Sequence, residues 1–516
     1  MKFSAEEFKR LYAEMPDEEL RSLVREELTE VAQQCYDAEL ARRGLQATPL
    51  RRTIQPIVAA REPEDIAPEP EKGCQMTAQA TAFAIPAPHT SERWSLLRRV
   101  LFRFAFVYLI FYCWPYAGKL NLFDAIPNFG VGSMNDYDAR RLTKVAEAPW
   151  HALCPWVAVH VFHLRGAVTQ YHPTGSGDTT LDYVLVFCFA AIAAFATFVW
   201  SFLDCRRTHY RTLYAWLRLL VRFTLAFTML WYGFAKVYPR QFTPPFLFRL
   251  TETYGESSPM GILWTFMGAS TAYTEFCGLI EVSAGLLLLF RRTTAVGALV
   301  AAAAMLNVTV LNFCYDVPVK LYSLHLVLMS LFLLIPDAAA LMRFFLWNQP
   351  SRLEGVWLPR FERRWLRTAA IALQALVTAS VLYNNIWGGY KNLREYSATY
   401  RAHAPTYGVW NSDSDAAGWR QLIMDSPRWL YIRNGAGDRV GFQTKYDESK
   451  HTIALTSAKL QQKGDFTYSQ PDARRLILRG NLDGNPMVAE FHRFDASQFP
   501  LTSRGFHWIN EDPFNR

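Results

Sequence analysis

The sequence predicts a mainly α-helical membrane protein with seven transmembrane helices, a C-terminal antiparallel β domain and an N-terminal helical segment. Three observations support this fold class. Seven apolar segments lie between residues 98 and 389, most of them near the ~20 residues that a helix needs to cross a bilayer. Aromatic residues are abundant, with 16 Trp, 24 Tyr and 36 Phe, which suits a protein with two membrane interfaces. The mean hydropathy is only -0.01, so much of the chain must be soluble.

Residues 1–45 are predicted to form a helical module on the cytoplasmic side. The apolar positions of this segment recur three or four residues apart, at Leu20, Val24, Leu28 and Val31. Two interpretations stay open: a helical hairpin that covers its own apolar stripe, and a docking module for a protein partner. Residues 46–97 are predicted to be a Pro-rich linker, because they contain too few apolar residues to bury a core.

The membrane domain is predicted to cover residues 98–389. Its seven predicted spans are residues 100–116, 183–202, 216–237, 273–290, 296–315, 321–335 and 369–387. Arginines cluster in the connections that seven spans place on one side of the membrane, and Arg-rich loops stay in the cytoplasm. The sequence therefore predicts a bacterial cytoplasmic (inner) membrane protein with a cytoplasmic N-terminus and an extracytoplasmic C-terminus. The net charge of +8 reflects these loops, and without a long basic run we predict no nucleic-acid partner.

The connection between the first two spans contains an amphipathic patch, WHALCPWVAVHVFHL, at residues 150–164. We expect this patch to lie in the membrane interface or to form a re-entrant turn. It holds His151, His160 and His163, which raises the possibility of a metal site. No acidic residue accompanies them and the HExxH spacing is absent, so we predict no metal. The eight cysteines form no CxxC pair and are expected to be inert thiols.

The C-terminal segment, residues 390–516, is predicted to be an extracytoplasmic β domain. Six stretches have alternating apolar and polar residues or turn signals at their ends: 429–434, 439–446, 452–457, 465–469, 475–480 and 487–494. Such a pattern is typical of an antiparallel sheet or small barrel of about six strands. The last thirteen residues, RGFHWINEDPFNR, are interpreted as a lid or docking segment.

Polar side chains interrupt the third to sixth spans, and the predicted orientation puts them in the outer half of the membrane. They are Tyr232, Lys236, Glu275, Glu281, Asn307, Asn312, Asp316, Tyr322 and His325. A charge in hydrocarbon costs several kcal/mol, so such groups usually face a cavity or a functional site. Two interpretations are open. The groups line a pocket that opens outward beneath the C-terminal domain, or they pair with one another and stabilise the bundle.

Three of these residues are candidate catalytic groups. His325 is suited to proton transfer, because small shifts move the pKa of a histidine across neutral pH. Lys236 is a candidate base, or an ion-pair partner of Glu275. Glu281 carries the charge that is most expensive to place near mid-bilayer. The remaining six residues are predicted to bind the ligand: Tyr232, Glu275, Asn307, Asn312, Asp316 and Tyr322.

Residues 216–337 resemble the four-helix unit of DoxX-like membrane proteins. In RFTLAFTMLWYGFAKVY the helix ends with Gly233, Phe234, Ala235 and Lys236, similar to the Gly-x-x-Lys-like end of the family's first helix. The run YTEFCGLIEVSAGLLLLFRRTTAVGALVAAAAMLNVTVL has Glu281 before Gly285 and a Leu run. The sequence IPD at 335–337 stands where the family has a Gly-rich ending. The resemblance implies membrane redox chemistry and an association with quinone.

A second resemblance is architectural. Helical bundles with an extracytoplasmic β domain and a catalytic Lys after a Gly-x-x-Lys-like motif occur in proteins similar to vitamin K-dependent carboxylases, which again implies a role for Lys236. Our first functional hypothesis is a redox-linked membrane protein that binds a quinone or another lipid-like small molecule. Our second is a non-enzymatic scaffold, or partner subunit, that recruits proteins through its N- and C-terminal modules.

Overall fold

The computed structural model describes residues 12–13, 15, 30–44, 93–113, 136–171, 175–238, 240–353, 363–400, 406–412, 418–457 and 460–514. The chain divides into two compact units, Met1–Pro86 and Ala87–Arg516. In the first unit helix α1 covers Glu30–Arg43. The predicted stripe residues Leu20, Val24 and Leu28 and the Pro-rich segment up to residue 92 lie outside the described residues.

Helix α1 contributes to a small apolar cluster and a charged one. Cys35, Tyr36 and Leu40 pack together with Tyr12. At the end of the helix, Arg42 Nη2 and Arg43 Nε donate to Glu39 Oε1 at 2.7 and 2.6 Å. These hydrogen bonds hold the pKa of Glu39 down at about 2, with the bond from Arg42 contributing most. The carboxylate thus stays ionised in the folded unit at neutral pH.

The second unit contains the apolar helices. In chain order its helices are α2 Leu96–Cys113, α3 Asp136–His160, α4 Thr180–Leu203, α5 Arg211–Val237, the one-turn α6 Leu247–Leu250, α7 Pro259–Ala269, α8 Thr271–Leu289, α9 Thr294–Cys314, α10 Lys320–Leu334, α11 Ala338–Trp347, α12 Arg364–Tyr400 and the one-turn α13 Pro500–Ser503.

Six helical segments in the described part of the chain are long and apolar enough to cross a membrane. They are α4, α5, α8, α9, the continuous Lys320–Trp347 segment of α10 and α11, and the part of α12 from Arg364 to Lys391. All six coincide with predicted spans. At the site of the remaining predicted span, α2 has 18 residues and three arginines. Helix α12 runs to Tyr400, so residue 390, the predicted start of the β domain, lies inside this helix.

Helix α5 is the centre of the bundle, and it contacts α2, α8, α10 and α12. Its contact with α8 is close because both helices have glycines at the interface. A Cβ atom on Gly278 would lie 2.7 Å from the carbonyl oxygen of Gly233, and one on Gly285 would lie 2.9 Å from that of Ala226. The two backbones therefore touch directly, as small residues allow between transmembrane helices.

The predicted amphipathic patch forms the C-terminal part of α3. Trp150 and Cys154 are buried, and the Trp150 ring meets Phe189 of α4 edge-on at 4.8 Å. Trp156 on the other face is exposed and stacks on His160. The other two candidate metal ligands have different surroundings. His151 packs on the Tyr171 ring, and His163 follows the helix with a positive φ of 54°.

The C-terminal domain is a closed antiparallel barrel of eight strands in sequential order, with β1 paired to β8. The strands are β1 Gly408–Asn411, β2 Trp419–Ser426, β3 Trp429–Asn434, β4 Arg439–Asp447, β5 Thr452–Ser457, β6 Gln462–Asp472, β7 Arg475–Leu482 and β8 Asn485–Phe494. The antiparallel β domain and its six predicted strands are confirmed, and β1 and β2 are additional. Trp410, Phe442, Phe466 and Phe491 help fill the interior, as side chains do in a barrel of this size.

The barrel is attached to the segment between α5 and α7. Asp425 on β2 accepts hydrogen bonds from the backbone N–H groups of Leu247 and Phe248 at 2.6 and 2.8 Å. The guanidinium of Arg439 on β4 lies 2.9 Å from the carboxylate of Glu252. Beside these contacts, Leu247 packs on Ile423. The chain thus passes from the end of α5, where Lys236 lies, directly to the barrel contact.

Candidate functional site

The most buried ionic contact described in the bundle joins α5 to α8. Lys236 Nζ lies 2.9 and 2.7 Å from the two carboxylate oxygens of Glu281. The residues are only 6% and 3% exposed. The close approach follows from the glycine contact, because Gly233 and Gly278 each precede one of these charged residues by three positions. The sequence identified both residues as candidates but not their pairing with each other.

The alternative ion-pair partner of Lys236 was Glu275, and that prediction is wrong. Glu275 is half-buried, and the structure gives its carboxylate no hydrogen bond or ion pair with another described residue. Glu281, six residues further along α8, occupies the position beside Lys236 instead. The glycine packing explains the difference, since it aligns the turn that contains Glu281 with the last turn of α5.

Two tyrosines lie next to the ion pair. Lys236 Nζ is 5.7 Å from the centre of the Tyr232 ring, within the range of a cation–π interaction. The Tyr232 ring is 6.0 Å from that of Tyr322 on α10. The Tyr322 hydroxyl is buried near the Thr228 hydroxyl but forms no well-aligned hydrogen bond with any described group. The Thr228 hydroxyl donates to the Thr224 carbonyl.

His325 forms a separate aromatic site with α2. Its Nδ1 lies 2.7 Å from the Leu321 carbonyl oxygen, and its Nε2 lies 2.6 Å from the Tyr108 hydroxyl. A carbonyl only accepts, so Nδ1 carries the proton, and Nε2 accepts from Tyr108. The Tyr112 ring stacks on the imidazole at 3.9 Å. The sequence analysis did not include these tyrosines, although their i, i+4 spacing on an apolar helix was a usable signal.

The remaining predicted ligand-binding residues have other surroundings. Asn312 is buried and its Nδ2 donates to Ser323 Oγ at 3.0 Å, which connects α9 to α10. Asn307 is exposed on the surface of α9. Asp316 is also exposed, and its carboxylate lies 2.9 Å from Lys320 Nζ. The structure therefore groups Lys236, Glu281, Tyr232 and Tyr322, and leaves these three outside that group.

The chemistry available at this group is hydrogen-bond donation next to a carboxylate. An ammonium group has three N–H donors, and the described contacts of Lys236 use two, both to Glu281. A third donor and the Tyr322 hydroxyl remain for another molecule. Each donor suits a carbonyl or a similar neutral oxygen, and the Glu281 carboxylate lies beside Lys236. We refer to Lys236, Glu281, Tyr232 and Tyr322 as the outer polar site, after the half of the membrane in which the sequence predicts them.

Comparison with known proteins identifies one relative. An uncharacterized protein of Bacillus subtilis (strain 168), YwoB, is 36% identical to this chain over 126 residues, which correspond to 24% of this chain and 79% of YwoB. No protein-family model matches the chain. No solved structure matches it either.

Proposed function

This chain belongs to the same family as YwoB, and we propose that it is an integral membrane protein that binds a quinone or another lipid-like small molecule at the outer polar site and takes part in its redox chemistry. The observation that carries this proposal is the buried pair of Lys236 and Glu281 with hydrogen-bond donors to spare. The resemblance of residues 216–337 to DoxX-like proteins supports the redox assignment. The location supports the ligand class, since a lipid-like molecule can reach donors between membrane helices from the surrounding lipid.

The proposed topology has α2 as a seventh span. Its 18 residues are apolar from Val100 onward, and two of its three arginines lie in the first turn, where they remain at the interface. The third, Arg103, is buried and donates hydrogen bonds to the Tyr210 hydroxyl, Ser201 Oγ and the Asp204 carbonyl, so its charged group faces protein and not lipid. Seven spans place the Arg-rich loops and the N-terminus in the cytoplasm of a bacterial cell and the barrel outside the cytoplasmic membrane.

The residues of the site would act on a carbonyl-bearing ring in distinct ways. Lys236 and Tyr322 donate hydrogen bonds to a carbonyl oxygen, which favours negative charge on that oxygen. The Glu281 carboxylate keeps Lys236 charged. When an external electron donor reduces the ring, the Lys236 ammonium is the proton source for that oxygen. The Tyr108–His325 hydrogen bond provides a second proton-bearing pair, one helical turn from Tyr322 along α10. In this proposal Lys236, Glu281 and His325 are the candidate catalytic residues.

The experiment is mass spectrometry of solvent extracts from protein purified in a mild detergent. Because a single neutralisation leaves an unpaired buried charge, the informative variant is the double Lys236→Met/Glu281→Leu. We expect a stoichiometric quinone or prenyl lipid in the wild type and its loss in the folded double variant. The control is Lys320→Met, which removes a Lys whose ion pairs, with the exposed Asp316 at 2.9 Å and with Asp178 at 4.0 Å, lie outside the outer polar site. A folded double variant that retains the lipid, or a wild type with bulk lipid only, would refute the proposal.

A second candidate function is a scaffold or partner subunit without catalysis. The observation in its favour is the exposure of the C-terminal segment, in which Phe506, Trp508 and Ile509 are 76%, 91% and 77% exposed. Exposed aromatic clusters of this kind are typical of docking surfaces. Native mass spectrometry of a gently solubilised complex tests it. A stoichiometric protein partner that is lost in Phe506→Ala/Trp508→Ala, in the absence of any bound lipid, would favour this function over the first.

A further inference from the structure

A second buried cation, Arg222, lies on α5 well away from the outer polar site. It is roughly 21 Å from Lys236 along the helix, at ~1.5 Å per residue. The glycine contacts between α5 and α8 show which residues of α8 lie at the same height as Arg222. Ala226 faces Gly285, so Arg222, one turn earlier, is level with the last turn of α8, which ends at Leu289. Arg222 thus lies at the Arg-rich end of the bundle, at the depth where a transmembrane helix meets lipid head groups.

The Arg222 guanidinium is buried and incompletely bonded. The residue is 2% exposed, and its Nε and Nη1 atoms are both buried with no hydrogen-bond partner among the described residues. Its neighbour on the chain, Phe223, offers a ring face 4.7 Å from the guanidinium carbon. Nε and Nη1 together carry three N–H donors, and a ring face does not replace hydrogen-bond acceptors for them, so the packing does not account for burial of this cation.

The charged groups around Arg222 add to its charge instead of balancing it. Arg218 and Arg291 are the charged neighbours that act on it, and both are cationic. Arg218 is itself buried, donates from Nη2 to the Leu333 carbonyl oxygen at 3.1 Å and has an unbonded Nε. Tyr214 has both Arg218 and the buried carboxylate of Asp337 among its charged neighbours, whereas the charged neighbours of Arg222 include no acidic group. Within the described residues, therefore, Arg222 has no acidic partner of its own.

We propose that Arg222, with Arg218 and Arg291, binds a phosphate group, and that the source of the phosphate is the head group of an anionic phospholipid. Arginine is suited to this ligand because its planar fork donates two parallel hydrogen bonds to phosphate oxygens. Basic pockets between transmembrane helices at the head-group level bind anionic lipids in this way. A phosphate at this position supplies acceptors for the unbonded nitrogen atoms and balances the charge.

The test measures thermal unfolding and lipid retention of the full chain purified in a nonionic detergent. Phosphatidylglycerol, phosphatidylcholine and inorganic phosphate are added separately. We expect phosphatidylglycerol to raise the Tm and to remain bound in native mass spectrometry, whereas phosphatidylcholine does neither. If inorganic phosphate raises the Tm as much as phosphatidylglycerol does, the phosphate site stands and its ligand is a soluble anion. No rise with either phosphate source beyond that with phosphatidylcholine would overturn the proposal.

The variant Arg222→Met separates a lipid site from a structural arginine. We expect it to be at least as stable as the wild type in phosphatidylcholine, because it removes an unbalanced buried charge, and to retain phosphatidylglycerol roughly tenfold less or worse. Arg206→Met, at an exposed position of the same end of the bundle, should respond to lipid as the wild type does. A large loss of stability of Arg222→Met in phosphatidylcholine would show that a carboxylate of the chain already balances Arg222, and would refute the lipid site. An undiminished phosphatidylglycerol response would do the same.

Discussion

Helix α5 has a buried cation in each half, and the two differ in how their charge is balanced. Lys236 has both oxygens of Glu281 within 2.9 Å. Arg222 has cationic neighbours and no acidic partner in the described part of the chain. Helix α8 explains both situations. Level with Lys236 it supplies the Glu281 carboxylate, whereas level with Arg222 it ends at Leu289, just before Arg291. The comparison separates a charge that the chain balances internally from one that depends on its surroundings.

Removing one partner of the internal pair should have the largest effect. Glu281→Gln leaves the Lys236 ammonium buried without a counter-charge, so we expect the free energy of unfolding to fall by about 3–5 kcal/mol. Lys236→Met/Glu281→Leu should recover most of that loss. The measurement is an SDS titration of the protein in mixed micelles.

Glu275→Gln is the matched control for this prediction, because it makes the same substitution on the same helix at a half-buried carboxylate. We expect a change of about 0.5 kcal/mol or less. Equal losses in the free energy of unfolding for Glu275→Gln and Glu281→Gln would mean that the Lys236–Glu281 pair makes no specific contribution to stability. A double variant as unstable as Glu281→Gln alone would show that the two charges do not act as a unit.

The next largest effect should come from the helix contact that aligns the pair. A methyl group on Gly278 would meet the Gly233 carbonyl at 2.7 Å, so Gly278→Ala forces α5 and α8 apart. We expect a loss of about 1–3 kcal/mol in the free energy of unfolding. In Gly255→Ala the added methyl group has open space within 4 Å, and that variant should unfold like the wild type. The prediction fails if the two alanine variants cannot be distinguished.

The sequence predicted six of the membrane helices and six of the strands because each has a strong local pattern. Strand β2 has no such pattern, since both of its faces are covered. Leu422 and Met424 point into the barrel core, whereas Ile423 between them packs on Leu247 of α6. The resulting run of consecutive apolar residues lacks the alternation that marks a half-exposed strand. Strand β1 has only four residues, too few for any periodicity.

At the candidate site, the sequence identified residues that are expensive to bury but not their partners. Lys236 and Glu281 are conspicuous because charge in an apolar helix is rare. Their pairing depends on which faces of α5 and α8 meet, and the tertiary contact at Gly233 and Gly278 decides that. Tyr108 was missed for the same reason, because its partner His325 is 217 positions away. Arg222 was not among the predicted site residues, because it lies at the opposite end of α5 from Lys236.

A third buried charge, Asp425 in the barrel, is balanced by backbone N–H groups alone. Asp425→Asn keeps one acceptor and directs an NH2 group at the second backbone donor, so we expect a loss of about 1 kcal/mol. This loss should appear as faster hydrogen exchange of the backbone N–H groups of Leu247 and Phe248. Asp465→Asn on β6, at an exposed position, is the control and should leave that exchange unchanged. If these N–H groups exchange at the wild-type rate in Asp425→Asn, the hydrogen bonds to the Asp425 carboxylate do not hold this contact together.

The pH dependence of this contact has a definite sign. Burial raises the pKa of Asp425, and the two backbone hydrogen bonds offset this only partly. The folded state therefore binds the proton more tightly than the unfolded state does. Protonation of Asp425 therefore stabilises the folded state. This stabilisation is fully present below the unfolded pKa of about 4, and it is lost as the pH rises through the higher folded pKa. Asp425→Asn should remove this decline in the free energy of unfolding, and a decline of equal slope in the variant would exclude Asp425 as its source.

The smallest effect should come from the exposed ion pair of Asp316 and Lys320. It has the same 2.9 Å separation as one contact of the Lys236–Glu281 pair, but the Asp316 side chain is 85% exposed. Water already solvates the Asp316 carboxylate, and Lys320 keeps the Asp178 carboxylate at 4.0 Å, so we expect Asp316→Asn to change the free energy of unfolding by about 0–1 kcal/mol in SDS titration. Asn also tolerates the positive φ of 49° at this position. A loss as large as that of Glu281→Gln would show that distance, not burial, sets the strength of both pairs.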